Sequence, residues 1–168
     1  RAVLRRHRLW ANMQPDVKMM TVHEKVGRAL SAGEEKKLLS ACGTRRSRVL
    51  LPIVTLALHS GLRRGEIQSL QWQQIDFLNR TLAVGTSKTE AGTGRVIPLN
   101  ERALMTLQMW ATNFAERKPE HFVFPSEHYG LAGNDRTPHA KTIDCTKPAG
   151  EFKSAWEAAK AKAVVECR

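Results

Sequence analysis

The sequence predicts an α+β fold that is mainly α-helical, with a small antiparallel β-sheet. Three observations carry this expectation. Apolar residues recur at helical spacing in several segments that have their own start or stop signals. Two short β-rich runs flank a Gly- and Thr-containing connection. Finally, 168 residues and 18.9 kDa suit one globular domain, or one domain with a remnant of a second.

Taken in order, Arg1–Trp10 (RAVLRRHRLW) can be helical with Arg5, Arg6 and Arg8 exposed, but is too short to stand alone. From Ala11 to Arg28 no period persists and Pro15 interrupts, so a linker leads to a boundary near Ala29. Ser31 and Glu34 have capping-box spacing, and Leu38, Leu39 and Ala41 give that helix its apolar side before Gly43 ends it. Arg48–Ser60 is dense enough in apolar residues to be a buried central helix, broken by Gly61 and followed by a helix over about Arg64–Trp72. Thr81–Val84 and Arg95–Leu99 read as strands joined through SKTEAGTG, which places Lys88 near a hairpin tip. Asn100 is an N-cap for a helix carrying Leu104, Leu107, Ala111 and Phe114, stopped before Pro119. Phe122–Phe124 reads as a short buried strand or turn, and Ser126–Gly150, with its glycines and prolines, as a long loop. Phe152, Ala155, Trp156, Ala159 and Ala163 form the stripe of a last helix.

Composition narrows the function classes. The chain is 42% hydrophobic and 26% charged, close to the soluble average, which argues against disorder, a collagen or a coiled coil. Its net charge is +11, and residues 1–50 hold 12 basic against 4 acidic side chains, so a polyanion, above all nucleic acid, is the expected partner. The longest apolar run, Val49–Leu58, contains Pro52 and Thr55 and falls well short of the roughly 20 residues of a membrane span. Cys42, Cys145 and Cys167 are odd in number and lack CxxC spacing, so neither a disulfide framework nor structural zinc is expected. No secretory signal is visible, and a cytoplasmic location is the expectation.

HSGLRRGEI is the segment that points to chemistry. It sets two arginines at a helix start, directly after a glycine turn, in a basic chain. A guanidinium donates to two phosphate oxygens at once, and a helix start adds N–H groups and a favourable dipole. A solvated face is the commoner meaning of an isolated arginine pair, as it is of a hairpin lysine. His121, His128, His139 and Cys145 match no common metal spacing, so no metal is expected. Trp10, Trp72, Trp110 and Trp156 are expected in the core or at an interface.

Together these segments resemble the catalytic domain of the tyrosine recombinases, the phage-type integrases. LALHSGLRRGEIQSLQWQQIDFLNRTLAV resembles the family's arginine box, TGLR-x-x-E, then its Leu-x-Trp and Asp positions and its first strands, with Ser60 in place of the usual threonine. TSKTEAGTGRVIPLN is similar to its β-hairpin with the catalytic lysine. RALSAGEEKKLL resembles the domain's opening helix, and FKSAWEAAKAKA the helix before its second active-site box. The resemblance implies that residues 1–28 are the end of a core-binding domain with its linker, and that 29–168 are the N-terminal part of a truncated catalytic domain. It implies cleavage and rejoining of DNA through a 3′-phosphotyrosine, without metal, nucleotide or other cofactor, in a protein that self-associates on DNA.

By motif position Arg63 would be the catalytic arginine that clamps the phosphate, and Lys88 the general acid for the 5′-oxygen. Glu66 would be structural support. Arg5, Arg6, Arg8, Arg64 and Arg95 would contact DNA. The three residues after the six histidines end in Trp10, Val26, Leu62, Phe124, Leu131 and Thr142, so these residues contain no H-x-x-R box. The one tyrosine, Tyr129, precedes the last helix, where the family does not put its nucleophile. The expectation is therefore a fragment that binds DNA but is inactive by itself. A non-catalytic DNA-binding module on the same scaffold is the alternative, and an unrelated basic RNA- or ribosome-associated protein is a third.

Overall fold

The structure is a computed structural model and describes residues 29–44, 47–85, 87, 92–131 and 138–163. From Leu30 onward the described residues belong to one compact unit. Among the described residues five helices run over α1 (Ala32–Gly43), α2 (Leu50–Ser60), α3 (Arg64–Gln68), α4 (Glu101–Ala111) and α5 (Lys153–Ala163). The strands are β1 (Ile75–Asp76), β2 (Thr81–Ala83), β3 (Val96–Pro98), β4 (Pro125–Leu131) and β5 (Pro138–Pro148). The fold is thus mainly helical with small antiparallel sheets, as the sequence predicts.

The helices begin where their capping chemistry allows. At α1 the Ser31 hydroxyl accepts the Glu34 N–H at 3.3 Å while Glu34 Oε2 accepts the Ser31 N–H at 2.9 Å, a reciprocal capping box. Asn100 Oδ1 accepts the Ala103 N–H at 2.9 Å and so starts α4. Gly61, at φ 65°, closes α2 by donating its N–H to the Ala57 carbonyl at 3.0 Å.

Helix α2 is central because two of its faces are apolar. Ile53 and Leu56 enter a core with Leu62, Ile67, Leu82, Leu107 and Phe124. Leu50 and Val54 enter a second core with Leu38 and Cys42 of α1 and Ala159 and Ala163 of α5. Leu56 is fully buried, a burial worth about 1.5–3 kcal/mol, so α2 is held from both sides. Trp72 and Trp110 are buried, and Trp110 Nε1 donates to the Val123 carbonyl at 2.6 Å. Trp156 is partly buried against the second core.

The first sheet has the order β1-β2-β3, all antiparallel, with Leu82 opposite both Ile75 and Ile97. Strands β4 and β5 pair antiparallel as a separate ribbon. Among the described residues no helix is long and apolar enough to cross a membrane.

Two sequence expectations need correction. The helix after Gly61 ends at Gln68 instead of running to Trp72, because its backbone is recruited elsewhere. The Leu70 carbonyl accepts the Val123 N–H at 2.8 Å, and the Trp72 N–H goes to the His121 carbonyl at 3.1 Å, leaving a single 3₁₀ turn at Trp72–Gln74. The stretch from Ser126 to Gly150 is mostly the β4–β5 ribbon, not a loop. Its prolines sit at strand ends, where Pro125 pairs with Pro148 and Leu131 with Pro138, so the missing N–H groups break little of the ladder. Tyr129 accordingly lies on β4, with its backbone opposite Lys141.

Candidate active site

The turn between α2 and α3 sets up the site. The Ser60 hydroxyl donates to the Leu56 carbonyl at 2.6 Å and accepts the Leu62 N–H at 3.3 Å, so it bridges the break that Gly61 makes. Leu62 then anchors the chain in the core, and Arg63, in extended conformation, precedes the first turn of α3. Leu62 is buried and Arg63 exposed.

Three positions into α3 stands Glu66, a buried acidic residue whose side chain is only 4% exposed. Its Oε2 accepts the Arg63 backbone N–H at 2.9 Å and Arg95 Nη2 at 2.8 Å. Its Oε1 accepts Arg63 Nη1 at 3.1 Å and the Ser87 hydroxyl at 2.8 Å. Four donors converge on one carboxylate. Burial pushes its pKa up, but the hydrogen bonds from the Arg63 backbone, Ser87 and the Arg63 side chain, with the charge of Arg95, outweigh burial and set it at about 2. Glu66 is therefore ionised whenever the protein is near neutral pH.

The arrangement holds two guanidinium groups against one negative charge and so keeps a net positive charge at the surface. Arg63 commits Nη1 to Glu66 and its side chain remains 59% exposed, so most of its fork of donors faces solvent. Arg95 is 32% exposed. Such a pair can receive an oxyanion from outside while the carboxylate holds it from within.

The hairpin reaches Glu66 because its stem continues beyond β2 and β3. The Val84 N–H donates to the Arg95 carbonyl and the Gly94 N–H to the Val84 carbonyl, both at 2.8 Å, with Gly94 at φ 75°. Higher up, the Ser87 N–H meets Thr93 Oγ1 at 3.1 Å. Gln74 supports the stem from below, donating Nε2 to the Ala83 carbonyl at 3.2 Å. A Cβ on Gly85 would lie 2.4 Å from that Nε2, so any side chain here would push the Gln74 amide aside.

Arg64 goes elsewhere. It pairs with Glu151, donates Nε to Gln68 Oε1 at 3.3 Å and lies 5.7 Å from the Phe152 ring centre, at the start of α5. Gln68 Nε2 reinforces that junction by donating to the Ala149 and Gly150 carbonyls at 3.0 Å.

Of the residues singled out by sequence, the structure brings Arg63, Glu66 and Arg95 together and separates Arg64 from them. Lys88, Arg5, Arg6 and Arg8 lie outside the described residues. Among the described residues, no group of His, Cys, Asp and Glu is arranged to hold a metal ion. Sequence reasoning missed Ser87, and it placed Arg95 only with the DNA contacts. A hydroxyl directly before the hairpin lysine was the available signal for Ser87.

The geometry agrees with what the chain is similar to. Residues 28–165 match the model of the phage integrase family. A shufflon-specific DNA recombinase of Escherichia coli is 30% identical over 144 residues, covering 82% of this chain and 30% of that protein. The integrase of Salmonella phage P22 is 30% identical over 94 residues, covering 56% of this chain and 23% of its own length. The chain thus spans less than a third of the curated relatives it matches. Among solved structures, XerA recombinase superposes with a TM-score of 0.58 at 17% identity, covering 99% of this chain and 55% of that one. The Tn1549 transposon integrase in complex with a circular intermediate DNA gives 0.54 at 20% identity, covering 71% and 48%. With a family model that takes in most of its length and a fold shared with known members, this chain belongs to the phage integrase family.

Proposed function

We propose that residues 29–168 are the N-terminal part of the catalytic domain of a tyrosine-type site-specific recombinase, with residues 1–28 the end of a core-binding domain and its linker. In the whole protein a tyrosine attacks the scissile phosphodiester, a P–O5′ bond breaks, and a 3′-phosphotyrosine forms. A 5′-hydroxyl of a partner strand later reverses the step. Arg63 clamps the non-bridging oxygens, Lys88 protonates the departing 5′-oxygen, and Glu66 holds the arginine in place. Arg5, Arg6, Arg8, Arg64 and Arg95 add contacts to double-stranded DNA. The reading calls for no cofactor, and it places the protein in the cytoplasm and self-associated on its DNA.

The observation that carries this reading is the carboxylate of Glu66, which ties the arginine box to the hairpin by direct bonds to Arg63, Ser87 and Arg95. The DNA held by the solved transposon integrase supports the choice of partner. A DNA-binding module on the same scaffold that never cleaves is the second reading, and what the gene encodes after Arg168 separates the two.

A nicked suicide substrate separates the two. Residues 1–168 should form no covalent band on a denaturing gel. The gene product read through the codons after Arg168 should form one that is lost in Arg63→Ala and slowed in Lys88→Ala. A band from residues 1–168 that disappears in Tyr129→Phe would overturn the fragment reading. No band from the longer product would favour the binding module.

A further inference from the structure

Ser87 is the residue that the hairpin sends to the arginine box. Its hydroxyl donates to Glu66 Oε1, the same oxygen that accepts Arg63 Nη1, at 2.8 and 3.1 Å respectively. Its own N–H is held by Thr93 Oγ1 across the hairpin, so both strands of the stem are tied at this level. Arg95, on the returning strand, reaches the other oxygen of the same carboxylate. Two links thus run from the hairpin to Glu66, one from each strand.

The Ser87 link differs in what it controls. Lys88 is the next residue in the chain, and one peptide unit sets their Cα atoms about 3.8 Å apart. Whatever fixes Ser87 therefore fixes the point from which the lysine starts. Lys88 by itself has a long side chain with four rotatable bonds and little to define its reach.

Resting on the recombinase reading above, we propose that Ser87 is a positioning residue, whose hydroxyl on Glu66 registers the hairpin so that Lys88 is delivered to the phosphate that Arg63 holds. The bond is charge-assisted, since Glu66 is ionised, and it lies in a partly buried spot where water competes poorly. Alanine here breaks the link while leaving the other three donors on Glu66. Threonine keeps the hydroxyl and suits the extended backbone of a hairpin stem.

A substrate that needs no general acid isolates this role. With oxygen at the 5′ bridging position, the tyrosine O–P bond forms, the P–O5′ bond breaks, and a proton must pass from Lys88 to O5′. With sulfur there, the P–S bond breaks and a thiolate leaves without a proton, because a thiol has a pKa near 8.5, far below that of an alcohol. In the gene product extended past Arg168, Ser87→Ala should slow single-turnover cleavage of the oxygen substrate about 10- to 100-fold, part of the 10²–10⁴ that proton transfer contributes. On the sulfur substrate it should fall within about 3-fold of the unmodified protein, and Ser87→Thr should restore the oxygen rate. Equal slowing on both substrates, or no slowing on either, overturns the proposal.

Lys88→Ala is the control for the underlying reading. If it is rescued by sulfur and Ser87→Ala is not, only the proposal falls. If it is not rescued, the assignment of Lys88 as the acid falls and the proposal with it. If the unmodified protein yields no adduct, the recombinase reading falls and takes the proposal too. A second measurement needs only residues 1–168. Carbon NMR titration of the Glu66 carboxyl should show its pKa raised in Ser87→Ala and restored in Ser87→Thr, and an unchanged titration overturns the proposed bond.

Discussion

Glu66 holds Arg63 twice, taking its backbone N–H on Oε2 at 2.9 Å and its Nη1 on Oε1 at 3.1 Å. The first contact starts helix α3 and the second aims the side chain, so one carboxylate makes the local fold and the local charge inseparable.

Glu66→Gln should therefore destabilise residues 1–168 by about 2–4 kcal/mol. The amide keeps one acceptor oxygen but turns an NH₂ toward donors, which leaves a guanidinium facing another donor. Urea denaturation followed by circular dichroism measures this. A loss below about 0.5 kcal/mol, the range of ordinary surface changes, would show that the carboxylate is not the centre of the cluster.

Acid should remove this contribution in a defined window. The folded pKa of Glu66 lies at about 2, below the ordinary glutamate value of 4.5, so the unfolded chain takes up the proton first as pH falls. Stability from this group is fully present above about 4.5 and is lost progressively toward 2. Asp76 and Asp144 are also depressed, and they contribute to the same acid limb. The slope of stability against pH between 2 and 5 should hence be shallower in Glu66→Gln than in the unmodified chain. Parallel slopes would show that Glu66 titrates normally.

Binding of residues 1–168 to duplex DNA should weaken steeply with salt. Each phosphate neutralised adds about −0.9 to the slope of log affinity against log salt, so Arg63→Ala should reduce the slope by roughly 0.9. Titration of labelled duplex at several salt concentrations reads it directly. A salt-independent affinity would remove the electrostatic basis of the DNA reading.

Gly61→Ala should cost about 1–2 kcal/mol through backbone strain alone. The residue sits at φ 65° with nothing within 4 Å of the added Cβ, so there is no clash to confuse the measurement. Because Ser60 and Leu62 carry the turn into Arg63, the same change should weaken DNA binding. Thermal unfolding that is unmoved by this substitution would show that the turn tolerates a right-handed conformation.

Much of this was legible in the sequence where local chemistry and tertiary demand agree. Ser31, Asn100 and Gly61 act as the caps and break that their residue types predict, and the apolar density of α2 reports a helix pressed from two sides. Legibility failed where distant backbone decides. Nothing in Ser69–Trp72 announces that Val123 and His121 will take its hydrogen bonds, and the prolines of the ribbon read as loop signals because their strand partners are set only once the ribbon has paired. At the site, Arg63 and Glu66 were readable from the resemblance to the arginine box, because that motif is local and contiguous in the chain. Ser87 and Arg95 were not, since each reaches Glu66 only after the hairpin has folded back, 21 and 29 residues along the chain.

The grip of Glu66 on Nη1 of Arg63 also decides when disorder is lost. An unattached arginine would give up its rotamer freedom on meeting a ligand, a penalty of about 0.5–1.5 kcal/mol against affinity. Here that freedom is surrendered during folding, and the outward part of the guanidinium is already presented. A phosphate oxygen reaching Arg63 would meet a stiff receptor, and its dissociation would be governed by the contacts it makes and not by the wandering of the side chain.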